Sequence, residues 1–231
     1  MPDTPGRHAI DQRLDILRYL FGASLDSEQD RRMELPYDPE VSRQIWDRLF
    51  FQNGLVPDGR PVKRIGLQFS ASGLHKTWPE GHFSELGARL LASSEANVVC
   101  LVGGPADRKA ARRLKEAIST KSGTEGRVLD LAGKIGLSRF PELIRGLDLL
   151  ITNDTGPLHV AIAVGTPTIS LFVPGEPGET GPVQDLAIHR VITREKPCSP
   201  CVDKYCKNPH CMGLIPVEEV YEEASRSLGQ P

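Results

Sequence analysis

No apolar run in the 231 residues approaches the ~20 needed to cross a bilayer, and the opening MPDTPGRHAI has neither a basic n-region nor an apolar h-region. The chain therefore reads as a soluble, cytoplasmic protein. An excess of one charge is also lacking: 28 Lys+Arg against 30 Asp+Glu leave a formal charge of −2. That balance gives no general attraction to nucleic acid or to an anionic membrane. Internal repeats and low-complexity tracts are absent, which sets repeat architectures aside. Outside one short stretch cysteine is almost missing, since four of the five fall at Cys198, Cys201, Cys206 and Cys211. The fifth, Cys100, sits in the apolar run 98–102 and reads as a core residue.

What is present is an alternation of strands and helices from Arg64 onward. Short apolar runs predict strands at 65–70, 98–102, 128–131, 149–152, 168–172 and 189–193, with helical spacing between them. Such alternation implies an α/β domain, a Rossmann-like doubly wound parallel sheet covered on both faces. One helix begins near Pro79 and buries Phe83, Leu86 and Leu90. The last follows Pro216 and buries Val217, Val220, Tyr221, Ala224 and Leu228. Ahead of the sheet, Ile10, Leu14, Leu17 and Phe21, then Val41, Ile45, Leu49 and Phe50, predict two amphipathic helices. The turn-rich GLVPDGRP at 54–61 follows them. The expected organisation is a helical extension with linker over 1–60 and a Rossmann-like domain over 61–231.

The stretch 148–172, DLLITNDTGPLHVAIAVGTPTISLF, carries the most chemical information. Leu149, Leu150 and Ile151 form a buried strand, 153–156 supply a polar turn, and Pro157 suits the first helical position. Open amides at that helix start, backed by the macrodipole, favour an anion. Within the turn, Asp154 can accept from a sugar hydroxyl or cap the helix. Thr155 and Gly156 offer hydroxyl and amide donors, and His159 lies one turn on, facing a phosphate or serving as a structural histidine.

Three further strand ends share this character. The loop SASGLHKTWP at 70–79 brings Ser70, Ser72 and Lys76, either a diphosphate cradle with an ammonium for the leaving charge or an ordinary connection with a solvated lysine. GGPAD at 103–107 makes Asp107 a helix cap or a ribose acceptor. GKIGLS at 133–138 places Ile135 and Leu137 beneath a nucleobase or in the core. The functional reading rests on convergence of four such junctions at one sheet edge. The cysteine loop CSPCVDKYCKNPHC, spaced C-x2-C-x4-C-x4-C, can close a structural tetrahedral zinc site, or hold reduced thiols or labile disulfides.

Taken together, NDTGPLHVAIAVGTPTISLF, the following Gly181-Pro182, and CSPC with its later HCM resemble glycosyltransferase family 9, the lipopolysaccharide heptosyltransferases. The resemblance spans about 64–228 and implies the C-terminal, donor-binding half of a GT-B enzyme. It implies inverting transfer of a heptose from a nucleotide-diphosphate donor, ADP-heptose, to a lipopolysaccharide core or other glycan acceptor, with no metal required. By motif, Ser70, Ser72 and Lys76 are expected at the diphosphate, with Lys76 stabilising the leaving group. Asp107 is expected at the ribose, Ile135 at the adenine, and Asp154, Thr155, Gly156 and His159 at the sugar-phosphate region.

In that family the acceptor site and the general-base carboxylate belong to the N-terminal domain, whose closing segment HAIDQRLDILRYL resembles. No candidate base is found in this chain, so binding without efficient turnover is expected of it alone, with a companion chain supplying the acceptor domain. Through its acceptor it would sit peripheral to the inner membrane. Two other readings stand beside this one: a non-catalytic sugar-nucleotide-binding regulator, and a zinc-stapled interaction module built on the cysteine loop.

Overall fold

A computed structural model of the chain describes residues 6–22, 24–25, 29–55, 62–198, 205–206 and 208–230. Most of the linker read at 54–61, and Cys201, lie outside them.

Six parallel strands, β1 (Lys63–Gln68), β2 (Asn97–Val102), β3 (Val128–Asp130), β4 (Leu149–Asn153), β5 (Thr168–Phe172) and β6 (His189–Thr193), form one sheet in the order β3-β2-β1-β4-β5-β6. The strands therefore run outward in one direction from β1 and in the other from β4. The reversal opens a crevice at the carboxyl ends of those two central strands, where open α/β sheets take ligands. Pairing between them ends at Gln68 and Thr152. Beyond that point β1 stops short of the predicted Ser70, because the Ser70 carbonyl is claimed by the side chain of Asn153 and the chain turns away.

Alternation along the strands divides the core. Ile65, Leu67, Val99, Leu101, Leu149 and Ile151 meet the helices α3 (Glu80–Ser93), α4 (Arg108–Ser122) and α8 (Val217–Leu228). Val98, Cys100, Val102 and Leu150 point the other way, toward α2 (Pro39–Gln52), α5 (Phe140–Arg145) and α6 (Gly156–Val164). A short helix, α7 (Pro177–Thr180), follows β5.

Packing overrides propensity in α3. Gly81 and Gly87 each cost the helix ~1 kcal/mol, but Phe83, Leu86, Leu90 and Leu91 are buried, each worth roughly 1.5–3 kcal/mol. Gly87 also allows close approach, since a Cβ there would stand 2.7 Å from Ile118 Cδ1 of α4.

Ahead of the sheet, α2 opens on Pro39, with the Asp38 carboxylate accepting from the amides of Glu40 and Val41. It docks on α5 through Ser42 Oγ to the Glu142 carbonyl and Trp46 Nε1 to the Leu143 carbonyl. Trp46, Leu49 and Phe50 thereby join the core beneath the sheet.

The first helix, α1 (Ala9–Phe21), forms over the expected residues but does not bury its whole predicted face. Leu14 is covered, whereas Phe21 is 74% exposed. The cause is its position: it lies against the turn Gln29–Arg31, tied by Arg31 to Asp11, rather than over the sheet. Among the described residues, no helix is long and apolar enough to cross a membrane.

Docking of α2 depends on a missing side chain. A Cβ at Gly146 would fall 1.9 Å from Trp46 Nε1. Gly146→Ala is expected to expel the indole and lower stability by about 1–3 kcal/mol, read as a lower urea midpoint. A midpoint equal to the parent's contradicts this packing.

Candidate functional site

The crevice between β1 and β4 is lined by two turns, 69–79 after β1 and 153–156 after β4. Asn153 joins them. Fully buried, it accepts from the Trp78 amide at 3.0 Å and donates to the carbonyls of Gln68 and Ser70, both at 3.3 Å. Its three polar sites are thus all engaged across the gap. Gln68, the last residue of β1, works alongside. Its Oε1 accepts from the hydroxyls of Thr152 (3.2 Å) and Thr155 (3.1 Å), while Nε2 donates to Ser70 Oγ.

These bonds decide what faces the crevice. Thr155 occupies the N-cap position of α6, yet its side chain makes no cap hydrogen bond; its hydroxyl donates to Gln68 instead. The amides at the start of α6 therefore remain uncapped by that residue, with the positive end of the helix dipole behind them.

Asp154 does not cap the helix, the alternative role read from the sequence. Oδ2 instead accepts from Lys76 Nζ at 2.6 Å, and Oδ1 accepts from Thr180 Oγ1 at 3.2 Å. The carboxylate side chain is 7% exposed and the lysine 26%. Lys76 is thereby brought within two residues of the Gly156 helix start.

His159, one turn into α6, is half-buried. Burial holds its pKa below the usual imidazole value, Asp154 acts in the opposite sense, and His8 reinforces the lowering. The ring is therefore mainly uncharged near neutral pH.

Ser70 lines a cleft of about 390 Å³ between the β1 turn and Ala110 and Arg113 of α4, while Ser72 is exposed on the same turn. Asp107 and Ile135 stand at the next two junctions, after β2 and β3. Asp107 stands at the N-cap position of α4 without capping it; its Oδ2 accepts from the Gly104 amide at 2.7 Å and closes the 103–107 turn. Ile135 is half-buried against the α2 side of the core and borders a separate cleft of about 410 Å³ with Ile45, Arg48 and Lys134. Lys76, Asp154, Thr155, Gly156 and His159 thus form one group, with Ser70 bonded to it through Gln68 and Asn153. Asp107 and Ile135 belong to the flank beyond β1.

The cysteine loop packs against the Lys76 turn. The Cys211 thiol lies 3.8 Å from the His75 carbonyl, and Cys198, Cys206 and Cys211 border a small pocket with His75 and His210. Among the described residues no three His, Cys, Asp or Glu side chains are arranged to hold a metal ion. The four-cysteine zinc reading includes Cys201, outside those residues. Cys100 is fully buried, and desolvation pushes its thiol pKa far up.

A six-stranded parallel sheet with this polar crevice has known counterparts. The sequence profile of glycosyltransferase family 9 (heptosyltransferase) matches residues 3–212. The chain belongs to glycosyltransferase family 9.

Among family 9 relatives, lipopolysaccharide heptosyltransferase 2 of Escherichia coli K12 is 34% identical over 183 residues, covering 71% of this chain and 51% of that protein. Lipooligosaccharide heptosyltransferase 2 of Campylobacter jejuni is 26% identical over 222 residues, covering 90% of the chain and 68% of the relative. The solved structure of E. coli ADP-heptose lps heptosyltransferase II superposes with a TM-score of 0.66 at 27% identity, over 84% of this chain and 53% of that one. Fold alone is shared with the Veillonella parvula family 9 glycosyl transferase, TM-score 0.73 at 22% identity, over 99% of this chain and 62% of that one. The chain thus spans between about half and two thirds of the lengths of these proteins. Their shared architecture is that of the GT-B heptosyltransferases.

Three polar residues at this family 9 crevice escape a sequence reading built on loops: Gln68, Thr152 and Thr180. The first two sit inside runs that read as ordinary strands, and their only signal is a polar side chain where full burial is expected. Thr180 ends the short helix α7 in a Gly/Pro-rich stretch far along the chain and carries no local signal. The bridge itself is testable. Asn153→Ala leaves the Trp78 amide and two carbonyls without partners and is expected to cost about 1–3 kcal/mol for the unpaired groups. Faster hydrogen exchange at the Trp78 amide than in the strand cores should accompany it.

Proposed function

We propose that this chain is the donor-binding half of a heptosyltransferase: it binds ADP-heptose and stabilises the departing ADP during inverting transfer to a lipopolysaccharide core acceptor. The observation that carries the reading is the Lys76 ammonium held beside an uncapped helix start at the switch point of a family 9 sheet. Breaking the bond between the anomeric carbon and the diphosphate places negative charge on the leaving oxygens. An ammonium held close by, passing from Asp154 to the diphosphate, and the amides of the helix start can answer that charge. The donor is suggested by the E. coli structure at 27% identity, described as an ADP-heptose lps heptosyltransferase. The acceptor is suggested by the lipopolysaccharide and lipooligosaccharide relatives.

In this reading Ser70, Ser72 and Lys76 meet the diphosphate. Thr155, Gly156 and His159 meet the sugar-phosphate region, Asp107 the ribose and Ile135 the adenine. Asp154 serves as an anchor rather than as the base that deprotonates the acceptor, since both its oxygens are engaged. The base and the acceptor pocket belong, by family resemblance, to an N-terminal domain, on the same or a companion chain. Turnover is expected only with that domain, at the cytoplasmic face of the inner membrane. The cysteine loop enters this reading only as a support for the Lys76 turn.

Two measurements test the proposal. Calorimetric titration with ADP should saturate, and Lys76→Ala should weaken binding about 10–100-fold, the worth of a charge-assisted hydrogen bond. Folded protein that binds no ADP removes the reading. The second concerns His159. A bound diphosphate favours the imidazolium, so its pKa rises on binding from the burial-lowered value. Affinity should then increase as pH falls between about 8 and 6, with proton uptake visible in buffers of different ionisation enthalpy. His159→Gln should flatten the part of this slope that belongs to the protein; an unchanged slope takes His159 out of the site.

A further inference from the structure

Two loops, not one, hold Asp154. Lys76 approaches from the β1 turn, and Thr180 from the segment that follows β5. That segment is built to lie close: a Cβ on Gly175 would stand 2.7 Å from Asp154 Oδ2, and a Cβ on Gly181 would stand 2.5 Å from the Pro177 carbonyl oxygen. It is also pinned from behind. His8, buried at the start of α1, accepts from the Ile10 amide through Nδ1, which leaves Nε2 as the donor to the Gly181 carbonyl at 3.1 Å. Thr180 is therefore presented to Asp154 by a loop fixed at its far end.

We infer that Thr180 is a positioning residue that makes the site prefer a nucleotide carrying a sugar over the bare nucleoside diphosphate. This rests on the sugar-nucleotide reading above. When a diphosphate draws the Lys76 ammonium to itself, Asp154 Oδ2 loses its donor while the carboxylate stays largely buried. An unpaired carboxylate oxygen in that position is costly. A ligand with a sugar beyond the diphosphate can return a hydroxyl donor to Oδ2; bare ADP has no group at that end of the molecule to do so. The hydroxyl bond from Thr180 to Oδ1 keeps the carboxylate turned with Oδ2 toward the vacated place. Without it the carboxylate is free to rotate, and the sugar-dependent gain is lost while the diphosphate contacts remain.

The test compares the dissociation constants of ADP and ADP-heptose for the parent protein, Thr180→Val and Thr180→Ser, with thermal unfolding as a check that each is folded. The parent should bind ADP-heptose more tightly than ADP. Thr180→Val, close in shape but without the hydroxyl, should weaken ADP-heptose binding about 3–10-fold, the worth of one hydrogen bond, and leave ADP within about twofold. Thr180→Ser should restore the parent's ratio.

A general structural role would lower both affinities together in the valine variant, and that result overturns the inference. So does a valine variant indistinguishable from the parent, a serine variant that fails to restore the ratio, or a parent that binds the two ligands equally. A parent that binds neither ligand has a different meaning: the sugar-nucleotide reading itself falls, and this inference with it.

Discussion

Parallel pairing between β1 and β4 stops where the two chains must part to make a crevice, and a carboxamide closes what the backbone leaves open. The side chain of Asn153 spans from the end of β4 to both ends of the β1 turn, at Gln68, Ser70 and Trp78. The indole of Trp78 is itself fixed, by Nε1 to the Ile215 carbonyl and by edge-to-face contact with Phe83, so the turn cannot swing as a free loop. The position of Lys76, two residues before Trp78, is thus inherited from the hydrophobic core through one amide group.

The ion pair above this junction resolves a conflict. An ammonium waiting for a diphosphate must be held without ligand, yet must be free to leave its holder. A single carboxylate meets both demands, because it keeps the lysine close while offering less negative charge than a diphosphate. The uncapped start of α6 serves the same end from the opposite side. With the Thr155 hydroxyl turned to Gln68, the start of α6 has no side-chain cap, and an anion can complete that helix end.

The architecture was legible in the sequence because it is written in periodicity. Six apolar runs predicted six strands, and the limits of β5 and β6 coincide with those expected; Gly165 and Pro167 on one side and Pro174 and Gly175 on the other bound β5 tightly. The grouping of Lys76 with Asp154, Thr155 and Gly156 was legible because each lies in a turn that follows a strand, at the edge where open parallel sheets take ligands. What could not be read were the partners. Asp154 could be read as a sugar-hydroxyl acceptor or as a helix cap; only the folded chain brings Lys76, 78 positions away, and Thr180, 26 positions away, to its two oxygens. The exposed end of α1 has the same origin. Amphipathic spacing states that a face is apolar, not what will cover it, and among the described residues Phe21 is left largely exposed.

The unequal surroundings of the thiols offer a practical handle. Cys100, sealed within β2 and held protonated by its surroundings, is out of reach of alkylating reagents, whereas Cys198 stands at the surface beside the turn that carries Lys76. An environment-sensitive dye attached under mild conditions would therefore collect on the cysteine loop and spare the interior. Such a probe on Cys198 borders the small pocket that His75 also lines, where it can register movement of the lysine turn in real time without any substitution being introduced.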